Sequence, residues 1–170
     1  MKAKMILASI LFLTLSKGFS QLKNFKTTFN ETTEGMVVGT ICIENKSYSS
    51  YTFVYTDAAN GVADYANLSD SFVFKNAPGD FKEKGKTYYL FTIVKPEGNY
   101  KFAKIKIFDN SGESRVEFDV PVDLKFSIEK GKTTYLGQVT VNIKDKKFLI
   151  ENKLDRDKTW FGQKAPQIQF

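Results

Sequence analysis

The chain of 170 residues contains no histidine. This absence removes Ser-His and Cys-His nucleophile pairs, the commonest general base and the usual zinc ligand. Two carboxylates can hydrolyse a glycoside without histidine. Here, however, the acidic residues fall at outward strand positions or in turns, and nothing in the sequence marks a pair. We therefore expect a protein that is not an enzyme, and keep a hydrolase with paired carboxylates as an alternative.

Cysteine is almost as scarce, since Cys42 is the single residue of its type. It cannot form an internal disulfide, so packing must hold the fold together. Its neighbours are apolar, and no histidine is present to activate it. These features predict an inert, semi-buried thiol rather than a nucleophile.

The sequence also lacks an apolar run of the roughly 20 residues that span a bilayer. The apolar run at residues 5–15 follows two lysines and precedes Gly18 and Ser20, small residues placed three and one positions before a cut that leaves Gln21 first. This layout is typical of a secretory signal peptide, which we assign to residues 1–20. We expect an exported protein without a transmembrane span after removal of the signal. Its place in the periplasm, on the outer-membrane surface or outside the cell is left open.

The formal charge of +6 overstates the basicity of the predicted mature protein. The leader contains three of the 25 basic residues, which leaves 22 against 19 acidic residues, or about +3. No basic cluster with interleaved aromatic residues occurs, so nucleic acid is not an expected partner.

The most prominent pattern present is a two-residue alternation of apolar and polar side chains. It is plainest after Thr133, where Tyr135 and Val139 alternate with Gln138 and Thr140. Such a rhythm predicts a strand with one face in a core and the other in water. Similar runs recur along the chain, contain many of its 16 Phe and 8 Tyr residues, and are separated by Gly, Pro and Asn turns.

These runs predict an all-β fold, an antiparallel β-sandwich of prealbumin or Ig-like type with about eight to ten strands at residues 35–151. Antiparallel pairing is expected because the connections are too short for parallel crossovers. Strands at residues 36–43 and 47–56 are predicted to be joined by a turn, and a further strand is placed at residues 71–75. Residues 87–95 are apolar on both faces, which indicates a central strand or one covered on both sides.

The two ends of the mature chain depart from this pattern. Residues 21–34 are a polar lead-in or a loosely held edge strand. Residues 152–170 form a tail packed on the sandwich, either extended or with a short helix from Leu154 to Phe161. We expect Trp160 and Phe161 to dock that tail on the sandwich.

The pentapeptide Glu-Lys-Gly-Lys-Thr occurs twice, at residues 83–87 and 129–133. Either the chain contains an internal duplication, or one hairpin turn type is used twice because glycine suits it. The absence of a third copy favours the shared turn type.

The least regular stretch, residues 57–70, supplies the candidate binding residues. Sandwiches present function on loops, so this loop is the predicted contact surface for an unknown protein or glycan of the cell envelope. Its hard oxygen ligands suit calcium, but their spacing departs from the EF-hand pattern, so we predict no metal and no cofactor. The candidate residues are Asp57, Asn60, Asp64, Tyr65 and Asp70.

Two motifs carry a resemblance to a known group. Residues 96–100 read Pro-Glu-Gly-Asn-Tyr, and residues 126–137 read Phe-Ser-Ile-Glu-Lys-Gly-Lys-Thr-Thr-Tyr-Leu-Gly. Over residues 85–150 the chain resembles exported bacterial proteins of unknown function with a prealbumin-like or carboxypeptidase-regulatory-like β-sandwich. The resemblance implies a sandwich and carries no catalytic residues.

Together these observations predict an exported, non-enzymatic β-sandwich of the bacterial cell envelope that acts as a binding or accessory module. A structural or assembly subunit that donates or accepts an edge strand is the alternative, with residues 21–34 as the candidate donor.

We predict that a Gram-negative host exports the chain and cuts it after Ser20, because small residues are required one and three positions before the cut. Intact-mass spectrometry of the exported fraction should show a protein that begins at Gln21. Ser20→Arg should leave the precursor uncut, whereas Ser20→Ala should be processed normally. A precursor that stays in the cytoplasm in all three forms would contradict the assignment.

Overall fold

A computed structural model of the protein describes residues 25–44, 48–68, 79–110 and 116–170. This part of the chain contains nine strands and one helix, within the predicted range. The predicted leader and the predicted strand at residues 71–75 lie outside the described residues. The elements are β1 (Glu34–Glu44), β2 (Ser50–Asp57), β3 (Ala63–Asn67), β4 (Phe81–Glu83), β5 (Lys86–Pro96), β6 (Gly98–Asp109), β7 (Val116–Ile128), β8 (Thr133–Asn142), β9 (Lys147–Glu151) and α1 (Leu154–Lys164).

The strands form two packed sheets, which confirms the all-β sandwich with a short C-terminal helix. A five-stranded sheet has the order β4-β5-β1-β8-β9, and a four-stranded sheet has the order β3-β2-β6-β7. All neighbouring strands are antiparallel except β1 and β8, which run parallel. The expectation of purely antiparallel pairing is wrong here because it rested on short connections, and six strands separate β1 from β8 along the chain.

The predicted hairpin of residues 36–43 and 47–56 is also wrong, because β1 and β2 lie in different sheets. Val37 and Ile41 of β1 share one core with Tyr51 and Phe53 of β2. The apolar faces of these two strands bury against each other across the sandwich, so the strands do not stand side by side in one sheet.

Aromatic rings fill the space between the sheets. The centroid of Phe102 lies 4.5 Å from that of Phe53 and 4.7 Å from that of Phe126, and Phe91 of the opposite sheet meets Phe53 edge-on at 5.7 Å. A Cβ atom on Gly39 would lie 2.8 Å from the Phe91 ring, so only glycine fits beneath it. Each buried ring contributes about 1.5–3 kcal/mol of apolar burial.

The five-stranded sheet is covered on its outer face as well. Tyr89, Phe91 and Ile93 of β5 face the sandwich core, whereas Leu90 and Val94 face a second apolar cluster. This confirms the prediction that residues 87–95 are covered on both sides.

Helix α1 and both ends of the described chain form the cover. Phe161 is fully buried, and Trp160 stacks on Phe81 with centroids 4.6 Å apart, which confirms the predicted docking. Phe25 stacks on Phe161 at 6.1 Å, and the Lys26 amide donates to Thr92 Oγ1 over 2.8 Å. The described part of the lead-in before Glu34 is therefore packed against the helix and is not a strand.

Strand β8 departs from the simple alternation at a bulge. Val38 pairs with Tyr135 and Gly39 with Gly137, so Leu136 is an extra residue, and Gly137 takes a φ of +112°. The bulge moves Leu136 toward the core and Tyr135 to the covered outer face. Tyr135 therefore does not share a face with Val139 as predicted.

The prediction that Gln138 and Thr140 face water is wrong for the same strand. Their side chains are 4% and 8% exposed. Gln138 is paired in register with Thr40, and Thr40 lies directly under the helix. The polar side of β8 is buried because a second layer covers the sheet, and alternation alone does not reveal that layer.

A buried carboxylate holds the helix on the sheet. Asp157 Oδ2 accepts hydrogen bonds from Thr40 Oγ1 and Tyr135 Oη, each over 2.7 Å, and Oδ1 accepts from Arg156 Nε over 2.9 Å. The Arg156 guanidinium also lies 4.1 Å from the centroid of Trp160. Burial and the neighbouring Asp157 carboxylate raise the pKa of Tyr135, so its hydroxyl stays a donor. The charge of Asp157 is thus compensated inside the protein.

The two Glu-Lys-Gly-Lys copies form different turns, which corrects the expectation of one shared turn type. Lys84 and Gly85 both have positive φ, as a two-residue hairpin between β4 and β5 requires. At residues 129–132 only Gly131 has positive φ, and the turn leads from one sheet to the other. The same four-residue sequence therefore forms a hairpin within one sheet in the first copy and a connection between the two sheets in the second.

We predict that Asp157→Asn lowers the free energy of unfolding by about 3 kcal/mol, because it leaves Arg156 without its buried partner. Chemical denaturation followed through Trp160, the single tryptophan, should show the lower midpoint together with a red-shifted native emission. Asp155→Asn, an exposed change in the same helical turn, should cost less than about 1 kcal/mol. Equal losses in the two variants would contradict the anchoring role of Asp157.

Candidate functional site

The predicted loop at residues 57–70 is a hairpin in its described part. Residues 58–62 connect β2 to β3, and the Gly61 amide donates to the Asp57 carbonyl over 2.8 Å. The side-chain oxygens of Asp57 accept from the Ala59 amide and from Asn60 Nδ2, and Asn60 Oδ1 accepts from the Val62 amide. Asp57 and Asn60 thus shape the turn.

Asp64 and Tyr65 follow in β3 and point to opposite sides of the sheet, because successive strand residues alternate. Asp64 forms an ion pair with Lys95 of the other sheet and accepts a hydrogen bond from Tyr55. Partial burial opposes ionisation of Asp64, but hydrogen bonds from Lys95, the Tyr65 amide and Tyr55 outweigh it and lower the pKa of this carboxyl. Asp64 therefore links the edges of the two sheets.

Tyr65 lies on the outer face of the four-stranded sheet and is 49% exposed. It is paired with Val54, whose other neighbour is Lys104 of β6. Asp70 lies outside the described residues. The structure therefore assigns the other four candidates to three places: the turn for Asp57 and Asn60, the sheet edge for Asp64 and the outer face for Tyr65.

A groove of about 590 Å³ opens beside this turn. Its volume falls in the range of about 300–1,000 Å³ that is usual for small-ligand sites. The Ala58 amide donates to the Asn99 carbonyl over 2.9 Å, which fixes the turn against the start of β6. We call this the lysine groove; its lining residues are Thr56, Asp57, Ala58, Gly61, Asn99, Tyr100, Lys101, Lys125, Phe126 and Ser127.

Two lysines on neighbouring strands give the lysine groove its charge. Lys101 of β6 and Lys125 of β7 are direct partners in the register. Lys101 Nζ lies 2.9 Å from Asp123 Oδ1, and this hydrogen bond together with the charges of Lys101 and Lys125 lowers the pKa of Asp123. The strand pairing therefore places the two lysines side by side on the same face of the sheet.

The neighbours of these two lysines in β6 and β7 include aromatic residues whose rings face the core of the sandwich. Tyr100 and Phe126 stack with centroids 5.6 Å apart, and Tyr100 Oη donates to the Pro96 carbonyl over 2.8 Å. Burial and then the charge of Asp57 raise the pKa of Tyr100, so this hydroxyl is a donor throughout the physiological range. Tyr100 is the last residue of the Pro-Glu-Gly-Asn-Tyr motif, which here builds one side of the groove.

A second depression of about 580 Å³ shares Lys101 with the lysine groove. It lies between the β6–β7 pair and the hairpin of β8 and β9. Pro121 and Phe148 contribute apolar surface there, and Lys146 and Lys147 add positive charge. Four lysines and two aspartates line the two depressions together, so basic side chains outnumber acidic ones around them.

Nothing in the sequence points to this site except the alternation of Lys with apolar residues in two separate strands. In each strand alone, such lysines indicate a face exposed to solvent. The register of β6 with β7 is what places Lys101 beside Lys125. Asp57 is the one candidate from the sequence that also lines the groove.

Across residues 25–44, 48–68, 79–110 and 116–170, no group of three or more Cys, Asp or Glu side chains is arranged to hold a metal ion. The described chain also contains no helix that is both long and apolar enough to cross a membrane.

No protein-family model and no curated protein sequence matches the chain. A solved leucine-rich repeat protein from Bacteroides thetaiotaomicron is similar over 80% of this chain and 16% of its own length, with 16% sequence identity and a TM-score of 0.43. The chain thus spans less than a fifth of that protein. A similarity at this level carries no argument about function.

Asp64 should make stability depend on pH in a defined direction. Its folded pKa lies below the unfolded value near 3.8, so its ionised contacts stabilise the fold above that value. That contribution is lost as the pH falls through the lowered folded pKa. Urea unfolding should show Asp64→Asn less stable than the wild type at pH 7, with the difference shrinking below pH ~4.

The stability difference should stay within about 1 kcal/mol because solvent screens a pair this exposed. Asp119→Asn, which removes a solvent-exposed partner of Lys104, is the matched control and should change stability little at either pH. A difference for Asp64→Asn that is the same at pH 7 and pH 3 would contradict the linkage.

Proposed function

We propose that this protein is an exported, non-enzymatic β-sandwich of the bacterial cell envelope that binds an acidic glycan in the lysine groove. The signal-peptide layout of residues 1–20 supports export. The observation that carries the binding role is the pairing of Lys101 with Lys125 on one face of the sheet, beside a turn fixed by a backbone hydrogen bond between Ala58 and Asn99.

The chemistry of the lining fits carboxylated sugars. Lysine ammonium groups donate charge-assisted hydrogen bonds to carboxylates. The side chains of Asn99 and Ser127 in the same groove supply neutral donors and acceptors for hydroxyl groups. The second depression shares Lys101 with the lysine groove and is also lined by Lys146, so a linear chain of several sugar units would meet a further lysine beyond the groove.

Two features support binding rather than hydrolysis. A glycosidase needs a carboxylic acid of raised pKa to protonate the leaving group. The pKa of Asp123 is lowered, and Asp57 is engaged by the amides of its own turn. Neither carboxyl has the environment of a general acid.

We predict that the mature chain, residues 21–170, binds oligogalacturonate in calorimetric titration and binds the neutral galactose oligomer at least tenfold more weakly. Lys101→Gln and Lys125→Gln should each weaken binding about tenfold, since a hydrogen bond to a charged group contributes roughly 1.5–3 kcal/mol. Affinity should also fall with added salt.

Lys106→Gln is the matched control. Lys106 lies on the same strand as Lys101 and forms the same kind of cross-strand ion pair, with Glu117, but outside both depressions. Its replacement should leave the affinity unchanged. Equal binding of the acidic and neutral oligomers, or an equal loss in the Lys106 variant, would rule out the lysine groove as the site.

A further inference from the structure

The four outer strands of the sandwich differ in how they are protected from pairing with another chain. Strand β4 has only three residues, β3 turns the charged Asp64 inward, and β7 contains Pro121 at an irregular register. These are devices that block edge-to-edge association. Strand β9 is the exception, since its five residues contain no proline and pair in continuous register with β8.

Strand β9 also exposes apolar side chains. Leu149 is 59% exposed and Ile150 is 37% exposed. They are adjacent in the strand, so they point to opposite faces, and within the described chain β8 is the one strand beside them. An open edge that is apolar on both faces is a template for another strand.

The sequence of β9, Lys-Phe-Leu-Ile-Glu, is complementary to itself in the antiparallel direction. In a register centred on Leu149, Lys147 of one copy stands opposite Glu151 of the other, twice. Phe148 stands opposite Ile150, and Leu149 meets its own counterpart. Opposite charges and apolar pairs in directly facing positions are the contacts that stabilise antiparallel strands.

The flanking charges select this register over its neighbours. A twofold axis that keeps the faces of the two sheets aligned allows only shifts by two residues. One such shift places Glu151 against Asp145 of the other copy, and the opposite shift places Lys147 against Lys153. Both shifts bring like charges together, whereas the centred register places Asp145 against Lys153.

We propose that two copies of this protein pair through β9, antiparallel and centred on Leu149, so that their five-stranded sheets become one continuous sheet. The partner is a second copy because the charge pattern matches itself. The contact uses the same surface on both copies, as a closed twofold dimer requires. The proposed dimer does not depend on whether the lysine groove binds a glycan.

Sedimentation equilibrium of residues 21–170 over a concentration series should show a monomer–dimer equilibrium. Lys147→Glu should raise the dimer Kd at least tenfold, because each Lys–Glu pair becomes a Glu–Glu pair. Glu151→Lys should do the same. The double variant Lys147→Glu/Glu151→Lys should restore the dimer, and an equimolar mixture of the two single variants should form a heterodimer.

Leu149→Asp is the additional variant, because an exposed position tolerates the change and the two aspartates would then face each other. It should be monomeric with an unchanged circular-dichroism spectrum. Lys144→Glu, an exposed charge reversal before β9, should leave the Kd unchanged. A wild-type chain that is monomeric at every concentration, or a dimer that ignores Lys147→Glu and Leu149→Asp, would overturn the proposal.

Discussion

The contact between Asp157 and its three partners, Thr40, Tyr135 and Arg156, holds the outer layer of this protein together. A carboxylate that is fully buried on a short helix is costly unless the sheet below supplies hydrogen bonds and a cation completes them. Thr40 of β1 and Tyr135 of β8 supply the bonds, and Arg156 supplies the charge. The helix therefore has a single position on the five-stranded sheet, and Phe161 and Trp160 can pack there.

That position decides which surfaces stay available. With the outer face of the five-stranded sheet covered, the surfaces that reach solvent include the four-stranded sheet, the turn at one end of the sandwich and the β9 edge. The lysine groove lies at the end, where a turn and two strands meet. The β9 edge lies on the neighbouring side, so a dimer formed through it would present two grooves on one particle and favour a multivalent ligand.

The sequence predicts the fold class because apolar and polar side chains alternate along most of the strands. Tyr89, Phe91 and Ile93 against Leu90 and Val94 indicated a strand covered on both sides, and Trp160 with Phe161 indicated a docked tail. Errors arose where a distant element intervened. The alternation places Gln138 and Thr140 in water because no residue of β8 indicates the helix that covers it. It also does not indicate the bulge at Leu136 and Gly137, which moves Tyr135 to the other face.

By itself, the sequence determined most of the residues that form strands, the apolar side of most strands, and the docking of the C-terminal tail through Trp160 and Phe161, because these properties depend on residues a few positions apart. The tertiary structure alone decided that β1 runs parallel to β8, that β2 lies in the opposite sheet, and that Lys101 meets Lys125. Pairing and register bring together residues far apart in the chain, and their energies depend on shared burial. The alternation of side chains within one strand does not show which distant residues are buried together.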